Sequence, residues 1–391
     1  MKIKINPQNF IVYLFFFSLN FETLNTFNFG IDFLITKITV SLLILFSLLR
    51  YRVFFSLKDY SKYFYPIIIY FMLLVVVSYL NRNSSSKRFF NVAVFLNLLI
   101  FIILSNYSTT KPNIILKGLF VFAISTVCVS ILYFLGVESN THLYGRHAIF
   151  GGNANDIGIK LSISLFILLS IIFENRLGLR KTRYFLFIFF PFLVKFMVDT
   201  GSRVAFVSFF LGVIIIFILY IKNMEFTKKV NLLILGGFLT LLAVVILLKN
   251  DILIKRLHDV FSKGDFSNRG QLWSSATHII SKNLFIGVGE TGLDQRMGAS
   301  PHNVFLEVFA CTGIIGFLIF IIFFSRILIG AFKKYKYQNE LLPFVLFIPV
   351  LGSVLSGQIF EEKIYWVIFA YIISNSKIIV KVENWLDNSK Y

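Results

Sequence analysis

Three polar clusters interrupt a chain that is otherwise lipid-like, and their residue types suit phosphate and proton chemistry. The first is YGRHAIFGGNANDIGIKL, residues 144–161, where Arg146 and His147 precede a Gly151-Gly152-Asn153 turn. The second is VDTGSRVAFVSFF, where only Thr-Gly-Ser separates Asp199 from Arg203. The third runs from FSNRGQLWSSATHIISKNLFIGVGETG, with Arg269, to SPHNVFLE, with His302, Asn303 and Glu307. Arginine holds phosphate through a planar fork that stays charged. A neutral imidazole is the usual acid–base group near pH 7. External arginines, a histidine and a nearby carboxylate make a sensible site for a substrate with an anionic leaving group.

Each cluster also has a plain structural reading. Asn153, Asn155 and Asp156 precede an apolar run and fit turn and capping chemistry; that chemistry leaves Arg146 unexplained. Arg203 could pair with Asp199 or snorkel to the interface. A histidine at a membrane boundary is often only interfacial. In SPHNVFLE, Ser300 reads as an N-cap and Pro301 as the first helical residue. His302 and Asn303 then fall in the first turn, where free N–H groups favour an anion and disfavour imidazolium. Glu307 lies four residues on and shares the face of Asn303. Leu272, Trp273, Ala276 and Ile279 or Ile280 mark an amphipathic stretch behind Arg269, and Gly287 and Gly289 mark a turn. No third glycine opens a helix there, which excludes a dinucleotide fingerprint.

The elements that must position these groups are membrane helices. The 391 residues are 57% hydrophobic and 15% charged, with a mean hydropathy of +0.80; soluble chains carry roughly a quarter charged residues. Apolar runs of about 17 to 25 residues recur, the length that crosses a bilayer core of roughly 30 Å. Alternating strands of about ten residues are absent, which argues against an outer-membrane barrel. About twelve spans are predicted, near 10–28, 31–49, 63–80, 89–105, 114–136, 157–173, 183–199, 203–221, 230–248, 302–324, 341–359 and 363–379. The seventh is short and interrupted by Pro191. The first is read as a retained helix, since no small-residue cleavage site follows it.

The net charge of +19 reflects cytoplasmic loops rather than nucleic acid. Lys and Arg gather in alternate loops, among them Arg50, Arg52, Lys58 and Lys62, then Arg176, Arg180, Lys181 and Arg183. That bias predicts both termini inside; Arg82, Lys87 and Arg88, on the predicted outer side, run against it. Cys128 and Cys311 lie in apolar runs, and the histidines show no metal-ligand spacing. Residues 1–391 therefore read as one polytopic domain. Within it, residues 249–301 form one large, folded external loop. No internal repeat is apparent. The alternative class, a polytopic anion transporter with Lys37, Lys160 and Lys195 as pathway charges, would place its site near the midplane. The polar clusters instead share one predicted side.

The order GR…GGNAND, TGSR opening a helix, NRGQLW, GVG and PHNVFLEVFACTGIIG resembles the bacterial O-antigen polymerase/ligase family over about residues 144–325. The resemblance implies an all-α polytopic inner-membrane glycosyltransferase with a C-type glycosyltransferase fold, independent of metal and cofactor. Its donor would be an undecaprenyl-pyrophosphate-linked oligosaccharide on the outer, periplasmic side. Polymerases join lipid-linked O-antigen or capsule repeat units, with a chain-length regulator as a partner; ligases move the finished glycan to lipid A-core. By position, Arg203 and Arg269 would hold the pyrophosphate, with Arg146 a weaker carry-over because the GGNAND spacing departs from the pattern. His302 would be the general base or orient the acceptor, and Asn153, Asn303 and Glu307 would support it.

Overall fold

The computed structural model describes residues 7–24, 35–81, 92–137, 139–142, 145–221, 237, 241, 244–263, 269–357 and 359–374. In chain order the helices are α1 (Pro7–Ser18), α2 (Ile35–Leu48), α3 (Ser61–Leu80), α4 (Val92–Thr110), α5 (Ile114–Phe134), α6 (Ala154–Glu174), α7 (Phe190–Asp199) and α8 (Arg203–Ile221). They continue with α9 (Asp251–Lys263), α10 (Arg269–Lys282), α11 (Gly289–Met297), α12 (Val304–Gln338), α13 (Leu342–Ser356) and α14 (Lys363–Ile373). A two-stranded antiparallel hairpin, β1 (Ser139–His142) and β2 (Arg146–Ile149), departs from the all-helical expectation.

Among the described residues, α3, α4, α5, α6 and α12 are long and apolar enough to cross a membrane. Shorter apolar helices lie at α2, α8, α13 and α14. The seventh expected span is instead a 3-10 segment, Arg180–Phe189, followed by the ten residues of α7. Pro191 explains the change, because it lacks an N–H and sits only in the first turn of a helix. Ten residues rise about 15 Å, half of what a bilayer core needs. The expected span at 230–248 lies largely outside the described residues, as do residues 375–379 of the last span and Arg82, Lys87 and Arg88.

The chain forms two compact units. The first comprises residues 1–50, 111–258 and 339–349. Here α1 packs on α5, and α6 packs on α5, α7 and α8. Polar side chains tie the apolar helices together, as expected where lipid supplies no hydrophobic drive between helices. Asn20 Nδ2 donates to the Phe122 carbonyl at 3.1 Å and to Thr126 Oγ1 at 2.9 Å. Lys160 Nζ meets Glu22 Oε2 at 2.6 Å and the Leu19 carbonyl at 2.9 Å.

The second unit comprises residues 51–110, 259–338 and 350–391. In it α12 packs on α3, and α14 on α4. The expected loop residues are folded here: α10, α11 and the turn between them bury Ile279, Ile280, Val288 and Leu293 against Ala310 and Cys311 of α12. Helix α12 is broken at Gly313, whose φ of 62° and ψ of −166° are not helical. The turn at 284–288 fills the break: Val288 N–H donates to the Ala310 carbonyl at 2.9 Å, and Ile314 N–H to the Leu284 carbonyl at 2.8 Å. A Cβ on Gly313 would lie 2.3 Å from the Phe285 carbonyl carbon, and one on Gly287 2.5 Å from that of Cys311. The glycines of IGVG thus serve backbone-to-backbone packing.

Candidate active site

The basic cluster of the first unit is built around the turn TGSR. Thr200, Gly201 and Ser202 are buried, and Gly201 has φ of +59°. That left-handed turn lets two guanidinium side chains lie close to its backbone, with Arg146 Cγ 3.3 Å and Arg256 Nη1 3.6 Å from where a Cβ would stand. Arg146 projects from β2, and its Nε donates to the Thr200 carbonyl at 2.9 Å. Its Nη2 donates to Asn155 Oδ1 at 2.6 Å. Arg256, on α9, donates to the Gly201 carbonyl. Arg203 opens α8 and donates to the Arg256 carbonyl at 3.2 Å. Burial, then the charge of Arg203, pulls the Arg146 guanidinium below its usual pKa. Three cations are therefore crowded at the N-terminal end of the apolar helix α8, where N–H groups point outward.

The Asp199–Arg203 pair considered from the sequence does not carry the turn. Asp199 is bound instead by Lys195 Nζ, by Tyr133 Oη at 3.1 Å and by Asn250 Nδ2 at 3.3 Å. Asn153 is the N-cap of α6, its Oδ1 accepting from the Asn155 N–H at 2.8 Å. Asn155 goes further than a turn residue, since it orients Arg146. Lys160 and Lys195 are both engaged in ion pairs rather than lining a path.

In the second unit, the loop before α12 differs from its expected form. The N-cap is Asn303, not Ser300: Asn303 Oδ1 accepts from the N–H groups of Phe305 at 3.0 Å and Leu306 at 3.2 Å. His302 has φ of +50° and so lies outside the helix, not in its first turn. A left-handed residue cannot continue a right-handed helix, and an Asn side chain caps better than a distant serine. The Ser300 hydroxyl accepts from the His302 N–H at 3.2 Å, and Trp273 Nε1 donates to the Pro301 carbonyl at 3.0 Å. Trp273 and Arg269 are four residues apart on α10 and share a face. Desolvation, then the charge of Arg269, lowers the His302 pKa, although the residue remains exposed. The neutral imidazole expected from a helix dipole thus has a different cause.

Glu307 follows the cap by one helical turn, its N–H bonded to the Asn303 carbonyl at 2.9 Å. Its side chain lines a cavity of about 560 Å³ that also receives Glu290, Asp294 and Glu361. The sequence reading missed these three carboxylates and Arg256. Glu290 and Asp294 sit at i and i+4 in GETGLD, one face of a helix, which was the available signal. Arg256 offered none beyond its place in a basic amphipathic stretch.

Among the described residues, then, several helices are long and apolar enough to cross a membrane, and a cluster of guanidinium groups stands at the start of α8. Residues 185–321 match the family described as O-antigen ligase. Over that stretch, about a third of the chain, the similarity agrees with the O-antigen polymerase/ligase resemblance read from the sequence. No curated protein matches the chain.

Proposed function

We propose that the protein joins undecaprenyl-pyrophosphate-linked O-antigen or capsule repeat units at the outer face of the inner membrane. The observation that carries this reading is the crowding of Arg146, Arg203 and Arg256 around Gly201. Gly201, Arg203 and Arg256 lie within the stretch similar to O-antigen ligases, and Arg146 lies before it. Guanidinium forks bind phosphate bidentately and stabilise charge on a departing phosphate. In this reading Arg203 holds the donor pyrophosphate, with Arg146 and Arg256 assisting, and Arg269 keeps the phosphate-binding role that the family resemblance gives it. His302 accepts the proton of the acceptor hydroxyl. The hydroxyl oxygen forms a bond to the donor's anomeric carbon, the bond from that carbon to the pyrophosphate breaks, and the lipid pyrophosphate leaves with the electron pair. Asn155 orients Arg146, while Asn153 and Asn303 cap the helices behind the reacting groups.

The name of the matched family favours a second reading, transfer of the finished glycan to lipid A-core. Purified protein given the lipid-linked repeat unit alone separates the two. Polymerisation yields a ladder of longer lipid-linked chains without any lipid A-core. A ligase gives product only when lipid A-core is added. No product under either condition would refute both.

A further inference from the structure

Resting on that reading, we infer that the four-carboxylate cavity of the second unit is the subsite for the acceptor's sugar, and that it selects an uncharged, hydroxyl-rich ring. Glu290, Asp294, Glu307 and Glu361 line it, with Ser78 and Ser300 between them. Tyr70, Phe71, Phe95 and Phe360 supply ring surfaces on the same walls. Phe360 stacks on Tyr70 with centroids 5.8 Å apart and meets Phe71 edge-on, which fixes the aromatic side. Carboxylates accept hydrogen bonds from sugar hydroxyls, and aromatic surface receives the apolar C–H face of a ring. The volume of about 560 Å³ lies within the roughly 300–1,000 Å³ of small-molecule sites.

Glu307 points to a ligand independently of the cluster. The residue as a whole is half-buried, but its carboxyl is enclosed; the Ser300 hydroxyl bonds to the carboxyl, while Oε2 is buried with no hydrogen-bond partner among the described residues. A buried acceptor left without a donor is costly unless something supplies one. Like charges on neighbouring walls raise that cost and repel the donor's pyrophosphate, so the occupant is not the leaving group. Among the described residues no three of His, Cys, Asp and Glu are grouped to hold a metal ion. The carboxylates are thus spread along the walls, which suits several separate hydroxyl donors rather than one point charge. The Ser300 hydroxyl links this wall to His302, since it accepts the His302 N–H at 3.2 Å. The residue proposed to take the acceptor's proton therefore stands beside the wall proposed to hold the acceptor's sugar.

The test uses the full chain in nanodiscs, with binding and transfer measured separately. One probe is the oligosaccharide released by mild acid from the source cell's own lipid-linked repeat unit, labelled at its reducing end. A second is the core oligosaccharide released from lipid A, and a third is undecaprenyl pyrophosphate. Glu307→Gln should weaken binding of the repeat-unit oligosaccharide roughly ten- to a hundredfold, the loss of a hydrogen bond to a charged group. It should raise the acceptor KM more than it lowers kcat, and leave undecaprenyl pyrophosphate binding at the wild-type value. Its melting temperature should hold or rise, because one of four like charges is gone. Glu290→Gln, on the same wall, carries the same expectation should Glu307→Gln not fold. The same losses seen with the core oligosaccharide would support the subsite with lipid A-core as its source. Unchanged sugar affinity and acceptor KM in both variants would overturn the assignment, as would magnesium ion binding there in place of either sugar. Absent transfer with intact, Glu307-dependent sugar binding would defeat the enzymatic reading alone.

Discussion

In the first unit the unusual charges are positive and are held by backbone carbonyls; in the second they are negative and face a cavity. Arg146, Arg203 and Arg256 each give hydrogen bonds to main-chain oxygen in or beside the basic cluster. A carbonyl fixes the position of a guanidinium and leaves its formal charge in place. Glu307 shows the opposite arrangement: its Oε2 is buried with no hydrogen-bond partner among the described residues, beside other carboxylates. Elsewhere the chain pairs opposite charges directly, at Lys160–Glu22 and Lys195–Asp199. The two regions thus crowd like charges where those pairs bring opposite ones together.

Several measurements would break or sharpen this contrast. The largest effect is expected at His302. His302→Ala should lower transfer roughly 10²- to 10⁴-fold, the range of general base catalysis, with undecaprenyl pyrophosphate binding intact. Transfer at the wild-type rate would make His302 an interfacial residue and leave the second unit without a proton acceptor. Next come Arg203→Lys and Arg269→Lys, which should lose most activity although the charge is kept, because an ammonium cannot form the planar fork. Near-normal glycan length in both would show that only charge, or nothing, matters at these two positions. Arg256→Gln should have a smaller effect, seen as weaker donor binding with kcat little changed; no change in donor affinity would confine Arg256 to bracing the turn.

The pH profile gives a subtler test. The His302 pKa is lowered from the ordinary 6.5, and the neutral ring is the active form. The acid limb of the activity profile should therefore have its midpoint below pH 6.5, the ordinary value for a histidine. Arg269→Gln removes a like charge and should move that acid limb upward. The smallest effect is structural. Gly287→Ala forces a left-handed alanine at φ of +77°, a strain of about 1–2 kcal/mol before any clash. It should lower the melting temperature in detergent, and a neutral result would mean the turn at 284–288 yields.

Much of this arrangement could be read from the sequence where the signal is local. Unbroken apolar runs gave α3, α5, α6 and α8 within a few residues, and Asn153 was already a plausible cap. The C-terminal end of α4 was lost because Ser105, Asn106 and Ser108 resemble a loop. In the fold they are buried, and Asn106 Nδ2 donates to the carbonyls of Phe54 and Ser56 at 2.9 and 2.8 Å. The break in α12 was hidden inside ACTGIIG, since one glycine in an apolar run does not announce the turn that docks there. The cavity was hidden for another reason. Its carboxylates come from positions 290, 294, 307 and 361, and only tertiary structure assembles them. His302 was found by its neighbours in sequence, but its conformation depended on which residue won the cap.

Gly313 is also a mechanical joint. A rigid rod through lipid tilts when the membrane thickens or thins, and an unbroken α12 would carry that tilt to both its ends. The turn at 284–288 is bonded to both sides of the break, to Ala310 before it and to Ile314 after it. A lean of residues 314–338 would therefore be shared between Val304–Thr312 and that turn instead of passing along one helix backbone. Transfer rates that differ little between short-chain and long-chain lipid bilayers would fit that sharing; a steep dependence would mean that the break relieves no tilt.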